Sequence, residues 1–71
     1  MNDTVYIYEP SLGYLNGLEA SGQWEWVPKI KNDNGCFAWG LDIEAARKKL
    51  VFVHRQHPDA VIHNRRGKEV Q

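Results

Sequence analysis

The side chains best suited to chemistry in this protein are three histidines and one cysteine. His54 and His57 are three residues apart, so a helix would carry both on one face. His63 follows in a segment of strand character, and Cys36 is a candidate fourth ligand upstream. Nitrogen and sulfur donors of this kind suit tetrahedral zinc. The spacing matches no standard finger, however, and a histidine at a helix end gains simply by meeting exposed carbonyls. No metal and no cofactor are therefore expected. Cys36 beside a histidine would make a thiolate nucleophile, but a cysteine in a hairpin strand is normally a small buried apolar residue. No pair of acids with separated pKa values can be assembled, and the scattered glycines do not form a phosphate cradle. The sequence reads as non-enzymatic.

Recognition chemistry is better represented. Asp42-Ile43-Glu44-Ala45-Ala46-Arg47-Lys48-Lys49-Leu50-Val51-Phe52-Val53-His54 reads as a capped helix with more apolar surface than one buried face uses. At about 100° per residue, Ile43, Ala46, Leu50 and Val53 share a stripe, while Ala45 and Phe52 fall nearly opposite. A large apolar side chain facing water marks a contact surface. Phe52 is the expected anchor, with Ala45 beside it and Lys48 and Arg55 as a charged rim. A second contact region is Tyr6 and Tyr8: if Trp24 and Trp26 face the core, these tyrosines point outward. Tyrosine brings large contact area with few rotors to freeze.

These residues need elements to hold them. Thr4-Val5-Tyr6-Ile7-Tyr8-Glu9 alternates at period two and predicts a strand ended by Pro10. Residues 11–22 are rich in glycine and small polar residues and read as a long loop, a third candidate contact region, from which Tyr14, Leu15 and Leu18 could fold back onto the core. Residues 23–31 alternate again, with Trp24 and Trp26 on one face and Glu25 and Val27 on the other; Pro28 suggests an edge or bulge. Asn32-Asp33-Asn34-Gly35 supplies hairpin-turn chemistry, so Cys36-Phe37-Ala38-Trp39 is expected to return as an antiparallel partner. Asp42 caps the helix, Glu44 suits its positive end, and Pro58 closes it. Residues 60–63 read as a strand and Asn64-Arg65-Arg66-Gly67 as a turn into Lys68-Glu69-Val70. The expected class is α+β: an antiparallel sheet of three to five strands in the order β-β-β-α-β, with a final hairpin as an option, and one helix packed on one face.

At 71 residues the chain is one domain, 1–71, and a domain this small buries only about 60% of its unfolded surface. An apolar residue outside the core pattern is correspondingly informative. A single cysteine cannot form an internal disulfide, which points to a reducing cytoplasm. No export signal is visible and no segment approaches the roughly 20 apolar residues of a membrane span. Formal charge is zero, with nine basic and nine acidic side chains, but residues 1–35 carry two basic and five acidic groups and residues 36–71 seven and four. The halves are thus −3 and +3. A uniformly basic nucleic-acid-binding composition is missing.

The segment from Trp26 to Leu50, with its Asn-Asp-Asn-Gly turn, Trp39-Gly40 and Asp42-Ile43-Glu44-Ala45-Ala46, resembles the three-stranded-sheet-plus-helix DNA-binding domains of the plant AP2 type and the arm-binding domains of phage integrases. The likeness covers about a third of the chain. Those families read DNA with arginines on the sheet, whereas the matching strands here offer Lys29 and Lys31 beside Glu25 and Asp33. In size and style the protein also resembles phage-encoded inhibitors such as anti-CRISPR proteins, which implies action by occupying another molecule's surface.

The expected function is a small protein-binding module, of the kind used by inhibitors of host defence or nucleic-acid-handling complexes. Its partner would present an acidic surface; a homodimer burying Phe52 against its mate is an alternative. The competing expectation is a nucleic-acid-binding domain in which Arg47, Lys48, Lys49, Arg55, Arg65, Arg66 and Lys68 meet phosphates.

Overall fold

The structure is a computed structural model that describes residues 3–70. It is α+β, as expected: five antiparallel strands in one sheet and a single helix. The strands are β1 (Tyr6–Glu9), β2 (Gly13–Leu18), β3 (Trp24–Val27), β4 (Val61–His63) and β5 (Glu69–Val70), with α1 (Ile43–Val53) between β3 and β4. Their spatial order is β3-β2-β1-β4-β5.

The strand β2 lies inside the stretch read as a loop. Glu9-Pro10-Ser11-Leu12 is a tight turn closed by the Leu12 amide on the Glu9 carbonyl at 3.0 Å, so Pro10 starts a hairpin turn here as well as ending a strand. The glycines then sit where a strand tolerates them, Gly13 at the turn exit and Gly17 beside a register shift between Leu15 and Gly17. Leu15 pairs with Trp26 and Leu18 with Trp24, while Tyr8 pairs with Tyr14.

The expected return strand over residues 36–39 is also corrected. The Asn32–Cys36 turn forms, with the Gly35 amide on the Asn32 carbonyl at 3.0 Å, but its arms make one bridge, Lys31 with Phe37, and never reach β3. Pro28 ends the donor row of β3 before a ladder can grow. The backbone instead runs back along the flanks of β1 and β2. Trp39 donates its amide to the Leu15 carbonyl at 2.8 Å, and Val5 and Leu41 exchange both backbone bonds at 2.8 and 2.9 Å. Residues 38–41 thus wedge between β1 and β2, whose own pairing stops at Tyr8–Tyr14.

Asp42 caps α1: its backbone is extended (φ −79°, ψ 165°) and its carboxylate accepts from the Ala45 amide at 2.7 Å. The helix ends at Val53, earlier than Pro58 alone implied. His54 caps it, and bonds from Arg55 to Phe52 and from Gln56 to Val53 tighten the backbone into a turn. The predicted stripe is the packed one. Val53 and Ala46 are buried, and Leu50 and Ile43 lean on the same core. One part of that core gathers Ile7, Leu15, Val53 and Ala60 with Trp24, Trp26 and Trp39; the other gathers Val5, Ala46 and Ile62; Leu41 and Leu50 join them. An isolated helix of 11 residues is marginal in water, so this packing is what holds it.

Candidate functional site

The two faces of the sheet have different fates. Ile7, Leu15, Ile62, Trp24 and Trp26 look toward the helix side, so strand alternation sends Tyr6, Tyr8, Tyr14, Val61 and His63 to the other. Tyr6 and Tyr8 therefore lie on the face expected of them, yet they are half-buried rather than free. Tyr14 is buried among them: its ring meets Tyr6 edge-on at 6.3 Å and Tyr8 at 4.9 Å. His63 stacks on Tyr8 at 4.2 Å with an interplanar angle of 17°. The Tyr14 hydroxyl reaches the His63 Nδ1 at 3.1 Å, and Gly67 closes over that hydroxyl. Burial raises the Tyr14 pKa and lowers that of His63, the latter opposed by the Glu69 carboxylate. The neutral imidazole, accepting at Nδ1 from the Tyr14 O–H, is the form this layer favours. Four rings packing on one another make a second small core, and the tyrosines do structural work that their alternation pattern does not reveal.

The outer face of α1 is different. Phe52 is 53% and Val51 61% exposed, side by side on the helix. The Arg55 guanidinium lies over the Phe52 ring at 5.1 Å, and Lys48 is exposed on the same side. Ala45, expected beside Phe52 on this face, is half-buried and belongs to its shoulder. Here Lys49 sits over the Trp39 ring at 4.3 Å and within 5.9 Å of Trp24. Helix α1 covers β1 and β4, so the β3 end of the same sheet face is left to Trp24, Trp39 and Leu18, the last 56% exposed. This aromatic shoulder, with Lys49 in it, was missed in the sequence because Leu18 lay in a supposed loop and Trp39 in a supposed strand.

The seven basic residues named for nucleic acid are divided. Arg47, Lys48, Lys49 and Arg55 belong to α1 and its exit turn, with Lys49 and Arg55 resting on rings. Arg65, Arg66 and Lys68 belong to the β4–β5 turn, where Arg65 and Arg66 line an open cleft of about 360 Å³ with Asp3, Thr4 and Asn64. The open sheet face carries Glu25 and Glu69 at its two edge strands, a poor setting for phosphates.

The histidines and Cys36 do not meet. The Nε2 of His54 bonds the Ala60 carbonyl at 2.7 Å. His57 stands edge-on to Trp26 at 5.0 Å with Nδ1 3.8 Å from Glu9. His63 is in the tyrosine layer, and Cys36 is exposed in its turn rather than buried. Among the described residues no three histidine, cysteine, aspartate or glutamate side chains are placed to hold a metal ion, and no helix is long and apolar enough to cross a membrane.

Compared with known proteins, the sequence and fold match no family model, no curated protein and no solved structure.

Proposed function

We propose that this protein is a non-enzymatic binding module that presents the outer face of α1 to an acidic protein surface. The observation that carries the reading is the adjacent pair Val51 and Phe52, both more than half exposed in a domain that has few large apolar side chains to spare. Arg55 over the Phe52 ring and Lys48 beside it supply the basic surround. An aromatic anchor ringed by cations fits the anatomy of a contact centre whose partner carries carboxylates. Such a module acts by occupying a surface, which is the way a stoichiometric inhibitor works.

The test begins with wild-type protein and Phe52→Ala as baits in parallel captures, followed by calorimetry on any protein retained by the first. Phe52→Ala is expected to keep its melting temperature within a few degrees and to weaken binding roughly 10- to 100-fold, the range of a contact hot spot. Equal binding by both proteins would refute the assignment of Phe52, as would a variant that no longer folds. Binding to single- or double-stranded nucleic acid that falls steeply with salt and ignores Phe52 would replace it with the basic-patch reading.

A further inference from the structure

Two Asn-Gly pairs occur in the sequence, Asn16-Gly17 and Asn34-Gly35, and the fold treats them in opposite ways. Asn16 is half-buried in β2, and its side-chain amide donates to a Glu25 carboxylate oxygen on the neighbouring strand. Asn16 itself falls in the register shift, but Gly17, whose nitrogen would attack its Cγ, is paired with Glu25, so attack would require the strand to leave the sheet at Gly17. Asn34 is exposed at the tip of the Asn32–Cys36 turn, away from the sheet. Its Oδ1 accepts from the Cys36 amide at 3.1 Å. That bond folds the side chain back over the intervening Gly35 peptide and draws electron density from Cγ. Gly35 has no side chain to hinder approach, and nothing lies within 4 Å of where a Cβ would stand. One restraint opposes reaction, the bond from the amide of exposed Gly35 to the carbonyl of half-buried Asn32 at 3.0 Å.

We propose that Asn34 is a site of spontaneous, self-directed modification: the fold exposes this amide to cyclisation and protects its counterpart at Asn16. The deprotonated Gly35 backbone nitrogen attacks Cγ of Asn34, forming a C–N bond. The bond from Cγ to Nδ2 breaks, and that nitrogen leaves as ammonia after taking up a proton. The five-membered succinimide is then opened by water at either carbonyl, giving aspartate or isoaspartate. The net change is one water consumed and one ammonia released, with no oxidant or reductant. The product bears a new carboxylate on a protein whose formal charge is zero. In the isoaspartyl form it also places an extra methylene in the backbone of the turn that supports the Lys31–Phe37 bridge. Phe37, 58% exposed, is the apolar side chain whose position would change.

Purified protein is incubated in buffers of rising pH, and the reaction is followed by peptide mapping, mass spectrometry and isoaspartyl methyltransferase labelling. Conversion is expected at Asn34, faster at higher pH because the nucleophile is the deprotonated amide, and accompanied by a more acidic species on ion exchange. Asn16 should lag by at least tenfold while the protein is folded. The same incubation in urea should bring the two sites to similar rates. Comparable rates in the folded protein, or no conversion at Asn34, would overturn the proposal. A gap that persists unchanged in urea would overturn it too, by assigning selectivity to neighbouring residues rather than to the fold. Asn34→Gln is the control variant; it keeps an amide but forms the larger ring slowly, and it should retain the wild-type elution position throughout.

Discussion

At the scale of single residues, His63 illustrates how a small domain turns a titratable group into packing. Its ring is stacked on Tyr8, bonded to Tyr14 and faced by Glu69. Burial lowers its pKa below the ordinary 6.5, and the nearby carboxylate only partly offsets this. The unfolded protein therefore takes up a proton at higher pH than the folded one. The contribution of this ring to stability is complete above 6.5 and declines as pH falls through the window just below it. Urea midpoints measured from neutrality downward should fall for the wild type, whereas His63→Gln should start lower and stay flatter over the same window. Parallel curves would show that the ring titrates as if exposed. Glu9 acts in a separate window. Bonds from the Ser11 amide and hydroxyl hold its carboxyl below 4.5, and this contribution disappears only as pH falls further. Phe52 was legible as surplus because helical rotation places side chains without knowledge of the rest of the molecule, whereas its exposed neighbour Val51 was not singled out. Tyr6 and Tyr8 were legible as facing away from the helix, but not as half-buried. What packs against them is the buried ring of Tyr14, from a strand that its glycine-rich surroundings disguise.

Elements were legible where a local signal named them. Asp42, the alanines and the apolar stripe specify α1, and its packed side chains are those that the rotation predicts. The missed strand shows the opposite case. Glycine and proline between residues 10 and 17 match a loop in composition, and only the turn geometry turns them into a hairpin and a bulged strand. Three other turns, at residues 19–23, 32–36 and 64–68, share one construction: a glycine amide closes the turn onto the first residue's carbonyl at 2.9–3.0 Å, and the first residue's amide donates to the fifth residue's carbonyl at 2.8–2.9 Å. Gly13 is the most demanding glycine. Its φ is +100°, and a Cβ there would stand 2.3 Å from the Val27 carbonyl oxygen. Gly13→Ala should cost about 1–3 kcal/mol from backbone strain alone, with the clash against β3 added. The measurement is the urea midpoint beside that of Gly17→Ala, for which the added methyl meets nothing within 4 Å. If the two variants were equally stable, β2 would not leave the turn as described.

At the scale of the whole molecule, class and layering follow from composition and length, because few arrangements of one helix and several short strands bury a single small core. Strand order was not legible. It depends on which segments exclude water together, and residues 38–41 compete with β2 for the flank of β1. The core has almost no redundancy: Ile7, Leu15 and Val53 are its large, completely buried side chains. Leu15→Ala should therefore cost roughly 2–5 kcal/mol, a large share of what a domain of this size has. Circular dichroism at 37 °C should show a substantial unfolded fraction, and a cooperative transition at the wild-type midpoint would contradict the central position of Leu15. The wedge has a dynamic consequence. Where residues 38–41 intervene, β1 and β2 touch through a third segment held by three main-chain bonds to Leu15 and Val5. That seam can part while the ladder between β1 and β4 and the helix above it stay closed. The amides of Val5, Trp39 and Leu41 should then trade hydrogen for deuterium as one group, ahead of those of Tyr6 and Tyr8, which alternation turns toward β4, so the molecule breathes along a line its sequence never announces.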